Sequence, residues 1–442
     1  MNDKYKYQLY MGSIGDIKNL EKHFSFMAEK GWMIDKFGIT QRYHSIEPSK
    51  KRFYVDILPQ ITAFDYPDND EALAFRSMCQ GSGWEFVTAN KQIQVFCAES
   101  NAVPIHTDNK IQAQIYLKTC RKYELPLFIY GLLIFFFFCL VMGWPELLLS
   151  NLNIFLLIGS AFFTIGYLWT FFFVLSWYWK TSRSVKNNLP MPEVNYSLYR
   201  IRSMVYIISF LLFVLCIAIG AITSIVGGMP PGLMLPVFMP FLSITLGLWV
   251  RHEINTTRRG RKENIRLMIA VCAFIVAISF LVINFVTAQS LNIYPGQALA
   301  DGQKTLTLKN IGIETPPEHS SARVNSSVAV PVNYEYFEVN HEGSVSTEVY
   351  RSVAKPIAET LYGHFVLEFE ESSVMVGGGG VTQLSSDEAS FWGAVYGVSV
   401  VSPDNIDLIL LNGRDIIIAS IRQDNFDMDI LGEEIKKLWA NE

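Results

Sequence analysis

Charge is scarce in this chain. Asp, Glu, Lys and Arg make up 17% of its 442 residues, against roughly 25% in ordinary soluble domains. Half of the residues are hydrophobic and 14% are aromatic. This composition excludes a disordered or collagen-like chain and argues against a purely soluble one. Cysteine is sparse too. The six are Cys79, Cys97, Cys120, Cys139, Cys216 and Cys272, and none falls in a CxxC or other ligand spacing. They read as small apolar fillers, and the first three suit a reducing compartment. HExxH, GxSxG, the Walker A motif and the Rossmann fingerprint are all missing. The chain is therefore not expected to be an enzyme, and no metal or other cofactor is expected. The opening MNDKYKYQLYMG has no short apolar core, so no cleavable signal peptide is expected.

What is present falls into three blocks: a soluble domain at 1–124, a membrane domain at 125–288 and a soluble α+β domain at 289–442. The middle block reads as five spanning helices at about 125–144, 154–179, 204–226, 233–250 and 267–288. Each offers about the 20 apolar residues a bilayer crossing needs. The fourth contains Pro236 and Pro240, which read as a kink. None of these spans contains Asp, Glu, Lys, Arg or His, which argues against a proton-coupled pump.

The basic residues set the expected orientation. Lys118, Arg121 and Lys122 precede the first span; Lys180, Arg183, Lys186, Arg200 and Arg202 lie between the second and third. Arg251, Arg258, Arg259, Arg261, Lys262 and Arg266 lie between the fourth and fifth. The loops around Pro145–Asn153 and Gly227–Gly232 carry no Lys or Arg. The positive-inside rule then puts the N-terminal domain in the cytoplasm and the C-terminal domain outside a multi-pass protein of the cell membrane. Trp177, Tyr178, Trp179 and Lys180 read as an interfacial belt on the inner side, repeated by Trp249 and Arg251, with Trp144 on the outer side. Charge is split accordingly. Residues 1–288 hold 27 Lys and Arg against 19 Asp and Glu, a net of +8; residues 289–442 hold 9 against 22, a net of −13.

Residues 1–124 read as strand, helix, strand, strand, helix, strand. Ile17, Leu20, Phe24 and Met27 recur at helical spacing after Asp16, a candidate N-cap, and Gly31 ends that helix. Phe53, Val55 and Ile57 alternate with Tyr54 and Asp56 as a strand; Ala72, Phe75 and Cys79 form the second helical stripe. Both helices end in Gly-Trp, at Gly31-Trp32 and Gly83-Trp84. This weak internal repeat predicts a ferredoxin-like βαββαβ domain with equivalent helix-to-strand corners. Each Gly would take a left-handed stop and each Trp would pack the helix end on the sheet.

The runs GSIGDIKNLEKHFSFMAEKGWMIDKFG, KRFYVDILP and FRSMCQGSGWEFVTANKQIQVFCAE resemble the family called domain of unknown function 2812, over roughly residues 5–100. The shared motif is helix, Gly-Trp, strand, twice over, with Tyr54-Val55-Asp56 between. The resemblance implies a bacterial membrane protein, mostly of Firmicutes, with membrane helices after the domain. It implies no established activity. Neighbouring PadR-type regulators in such members hint at regulated envelope or drug-response roles.

In the C-terminal block, Val328 to Tyr336 alternate as a strand. Leu408–Leu411, Asn412-Gly413 and Ile416–Ile418 predict a hairpin with a type I′ turn. Met428, Leu431, Ile435 and Leu438 predict a closing helix capped by Asp427, and Gly377–Gly380 reads as a flexible run. Glu314, Glu318 and His319, or His341 and Glu342, match no metal motif and read as exposed charges.

These readings favour a sensor or regulatory protein of the membrane, with the lipid bilayer and a protein partner as its partners and no nucleic acid. An accessory subunit of a transport or export system is the alternative, and a membrane enzyme a third possibility.

Overall fold

In the computed structural model the chain forms two units, Met1–Cys139 with Gly159–Val214 and Val237–Leu281, and Leu140–Ile158 with Leu215–Pro236 and Val282–Glu442. Residues 4–439 are described, apart from residues 11, 91, 104, 106–108, 142–144, 193, 227–234, 292–298, 300–301, 377–380, 403 and 424–426. Trp144, the Gly227–Gly232 loop and the Gly377–Gly380 run lie outside the described residues.

The first unit starts with β1 (Tyr5–Leu9), a 3-10 turn at Ile14–Asp16, α1 (Ile17–Glu29), β2 (Trp32–Lys36) and β3 (Thr40–Ser45). It continues with β4 (Lys51–Ile57), α2 (Asp70–Gly81), β5 (Glu85–Asn90) and β6 (Ile93–Glu99). The expected repeat is present but larger than a βαββαβ domain. Two βαββ modules each form a three-stranded antiparallel sheet, in the orders β1-β3-β2 and β4-β6-β5. β3 and β5 are the strands the sequence hid. β3 turns Gln41, 2% exposed, inward, and β5 buries none of its residues, so neither shows apolar alternation.

The modules match in detail. Gly31 and Gly83 take φ of 82° and 84°, left-handed stops that favour glycine. Each second strand slips register beyond its Trp, between Ile34 and Lys36 and between Phe86 and Thr88. β4 is covered on both faces. Phe53, Val55 and Ile57 pack with Ile17, Leu20 and Phe24 of α1, while Tyr54 packs with Cys79, Trp84 and Phe96.

Next come α3 (Asn109–Thr119), a π-helical turn at Cys120–Glu124, α4 (Leu125–Val141), α5 (Asn151–Lys186), α6 (Tyr196–Val226), α7 (Leu235–Thr256) and α8 (Arg261–Leu291). Three described helices are long and apolar enough to cross a membrane: Asn151–Lys186, Tyr196–Val226 and Arg261–Val286. Five were expected. Of α4, 17 residues are described. α7 carries Pro240 inside it. Val174 and Trp177 of α5, with Tyr116 and Cys120, enter the core that α1 and β4 share.

The second unit holds one seven-stranded antiparallel sheet. Its elements are β7 (His319–Asn325), β8 (Val332–Val339), β9 (Ser344–Arg351), α9 (Lys355–Val376), β10 (Thr382–Gln383), α10 (Ser386–Phe391), β11 (Tyr396–Ser402), β12 (Asn405–Asn412), β13 (Asp415–Arg422) and α11 (Met428–Trp439). The strand order is β10-β11-β12-β13-β9-β8-β7. Ile409 and Leu411 face Ala358 and Leu361 of α9. Leu408 and Leu410 face Leu431 and Ile435 of α11. Asp427 caps α11, its Oδ1 accepting from the Asp429 and Ile430 amides at 3.2 Å each. The hairpin forms, but its turn sits one residue later than expected. Asn412 pairs with Asp415, so Gly413 and Arg414 are the loop. Gly413 has φ of 63° and Arg414 has no positive φ, which fits a type II′ turn and not type I′. The alternating segment enters its strand only at Val332; Val328 and Val330 precede it.

Candidate functional site

Within the first unit, the start of α1 meets the start of α6. Ser13 caps the 3-10 turn, and its amide donates to Asp16 Oδ2 at 2.7 Å. Asp16 is thus the acidic partner of a capping box; its side chain makes no cap bond to α1, for which it is the residue just before the first turn. The same oxygen accepts from the Arg202 guanidinium, and Arg202 Nη1 donates to Ser13 Oγ at 3.3 Å. Both charged side chains are fully buried, at 1% and 0% exposure. Glu124, the last residue before α4, accepts the Ile14 amide at 2.7 Å. The guanidinium carbon lies 4.2 Å from the centre of the Phe173 ring of α5. One knot therefore joins the domain to the starts of α4 and α6 and to the side of α5.

Burial decides the protonation of this knot. It pushes the Glu124 carboxyl up to about 7, aided by the Asp16 charge and opposed by the Ile14 amide. It raises Asp16 as well, against the pull of Arg202 and Ser13. Among the described residues, Asp16 Oδ1, Glu124 Oε2 and Arg202 Nε are buried with no hydrogen-bonding partner. Breaking the bonds these groups do keep would strand their charge in a dry interior. Gly15 is required for close approach, since a Cβ there would lie 2.9 Å from the Trp177 ring.

Beside the knot is a groove of about 470 Å³ bounded by β1, α1 and α6. His23 crosses it, with Nδ1 2.8 Å from the Tyr196 hydroxyl and Nε2 2.9 Å from Gln8 Oε1. If Gln8 accepts from Nε2–H, Nδ1 is free to accept from Tyr196. Burial, then the charges of Arg200 and Lys6, hold His23 down at about 4. A larger, open cleft of about 720 Å³ in the second unit mixes Lys304, Lys437 and Glu434 on its walls.

The residues expected from sequence divide into several places. Tyr54 and Trp84 come together, ring centres 5.6 Å apart, and Trp84 Nε1 donates to the Val103 carbonyl at 2.7 Å. Asp56 is buried on the same strand and accepts from the Ile57 amide at 2.8 Å. Trp32 is half-buried in the other module. Trp177, expected at a lipid interface, is instead 5% exposed in the domain core, because the 3-10 turn before α1 approaches it closely at Gly15. Trp179, Lys180 and Trp249 are exposed. Of the loop arginines, Arg251 donates to the Ala63 carbonyl and Asn90 Oδ1 at 3.2 and 3.0 Å. Arg261 grips Asp65 with two bonds of 2.8 and 2.7 Å. Arg258 lies over the Tyr66 ring at 5.8 Å, and Arg259 pairs with Glu253 at 3.5 Å. His341 sits 3.3 Å from Glu318 and 3.6 Å from Glu342, all exposed. No group of three or more potential metal ligands occurs among the described residues.

Sequence reasoning missed Ser13, His23, Glu124 and Tyr196, and took Arg202 for a topology signal. The available signal was position: Glu124 and Arg202 stand at the very ends of apolar runs, where a charge is costly unless held.

Residues 16–129 match the model of the family described as "Protein of unknown function (DUF2812)". The family resemblance is thereby shown, shifted toward α3 and the first turn of α4. The match takes in Asp16 and Glu124 and leaves Arg202 outside. No curated protein and no solved structure matches the chain.

Proposed function

We propose that this protein is a membrane-spanning sensor or regulator with five spans, its N-terminal domain in the cytoplasm and its C-terminal domain outside. The observation that carries this reading is the buried Asp16–Arg202 pair. It ties the N-terminal domain to a helix that continues unbroken from Tyr196 to Val226. Twenty-two residues along that helix (224 − 202), about 33 Å at 1.5 Å per residue, Ser224 Oγ accepts from the Leu152 amide at 2.8 Å. A shift of α6 would therefore be felt at both of its ends. The distribution of basic loops supports the orientation, and the absence of ionisable residues inside the spans supports signalling over ion transport.

The orientation is tested by labelling intact cells with an impermeant maleimide. A cysteine at Asn412 should react, and one at Glu29 only after permeabilisation; both positions are exposed. The native Cys79 and Cys97 are buried and would be spared on either side. Coupling is tested by amide exchange in α1 of the full chain in nanodiscs. Ser224→Val should change protection over residues 17–29, and an unchanged α1 would sink the sensor reading.

A further inference from the structure

We propose that the groove bounded by β1, α1 and α6 holds the headgroup of one anionic phospholipid. The inference rests on the reading that α6 crosses a membrane. Three observations support it. First, Lys6, Lys30 and Arg200 line the groove, all exposed, and among the described residues no Asp or Glu lines it. Cations gathered without a counter-charge favour an anion. Lys30 lies 4.2 Å from the centre of the Phe26 ring, which holds its stem along an apolar wall.

Second, the lining adds polar side chains that carry no negative charge. Tyr10, Tyr199 and Ser203 are among them, and burial raises the Tyr10 phenol well above its ordinary value. The depressed His23 is neutral there and adds no charge of its own. Third, the groove leads onto α6 at Met204. From there Met204, Ile208 and Leu211 are exposed on one helical face, at spacings of four and three. A soluble anion has no use for that stripe, whereas an acyl chain does. Exposed Tyr5, Tyr7 and Leu9 on β1 add the aromatic and apolar surface suited to a headgroup layer.

The test uses full-length protein in mild detergent, with dioctanoyl phosphatidylglycerol or the matching phosphatidylcholine, read by native mass spectrometry. One phosphatidylglycerol should be retained at least tenfold more strongly than phosphatidylcholine. Each basic residue is expected to contribute about fivefold, so Lys6→Gln with Lys30→Gln and Arg200→Gln should weaken retention on the order of a hundredfold. Lys180→Gln, outside the groove, should change nothing. Should the triple variant fail to fold, Met204→Asp decides the matter: it leaves the cations in place and should still weaken retention. Equal retention of both lipids, or full retention in correctly folded variants, overturns the proposal. So does equal competition by sn-glycerol 1-phosphate, which would make the groove a site for soluble phosphates. Lipid supplied in micelles reaches the groove whichever way the protein is inserted, so an inverted result in the labelling experiment leaves this outcome untouched.

Discussion

In residues 5–45 and 51–99 the same order of elements recurs, with the same sheet order and the same Gly-Trp corner. The surroundings of the two modules differ. The sheet of the second is sandwiched, α1 on one face and α2 on the other. Its corner Trp84 is fully buried. The sheet of the first ends in β1, where Tyr5, Tyr7 and Leu9 remain exposed, and its corner Trp32 is only half-buried. Helix α1 is lent to the neighbouring sheet and to the knot at Asp16. A duplicated topology has thus been divided: one copy closes into a scaffold, and the other stays open at the groove. Equal chain paths need not bury equal surface, because burial depends on what each face meets.

This contrast can be broken or sharpened by experiment. The largest effect is expected where the open copy is tied down. Arg202→Ala leaves Asp16 buried without its counter-ion and should destabilise the protein by about 3–5 kcal/mol. Thermal unfolding in detergent measures it, and a loss under 1 kcal/mol would mean that the knot does not hold the domain. Trp84→Ala should cost about 3–5 kcal/mol as well, through the cavity and the orphaned Val103 carbonyl. Trp32→Ala, at the equivalent corner, should cost less than half of that. Equal losses would show that the two modules are not differentiated as described.

The smallest effect is in pH dependence. Glu124, raised from 4.5 to about 7, contributes stability that is complete below pH 4.5 and lost as pH rises through 7. His23, lowered from 6.5 to about 4, contributes stability that is complete above pH 6.5 and lost as pH falls through 4. The two slopes oppose each other in the wild type. Glu124→Gln should leave unfolding midpoints that rise with pH between 4 and 6.5. His23→Gln should leave midpoints that fall between 4.5 and 7. Slopes of the same sign in both variants would remove one of these groups from the account.

Much of the fold is legible along the chain. The periods of α1 and α11, the left-handed stops at Gly31 and Gly83, the cap at Asp427 and the existence of the β12–β13 hairpin all follow from local chemistry. β3 is illegible because its two inward positions are Gln41 and Tyr43, too few apolar residues to make an alternation, and β5 because it buries none of its residues. The hairpin turn is misplaced by one residue because Asn-Gly and Gly-Arg compete for the corner, and the pairing of Asn412 with Asp415 settles it. The candidate site is hardly legible at all. Arg200 and Arg202 look alike in sequence, yet one is exposed and the other is 1% exposed. Helical position decides between them: two residues apart, they point to different sides of α6.

By itself the sequence determined that the middle of the chain is rich in apolar runs, where α1 stops and α11 starts, that a hairpin forms near Asn412, and how charge divides between the N-terminal 288 residues and the remainder. Those properties depend on neighbours within a turn or two. Only the tertiary structure decided that Asp16 and Arg202, 186 residues apart, form one ion pair. It also decided that Arg251 and Arg261 clasp the loop at 60–65, and that Trp177 belongs to a protein core. A charge or a ring states its need for a partner in the sequence, but the partner itself is chosen by packing.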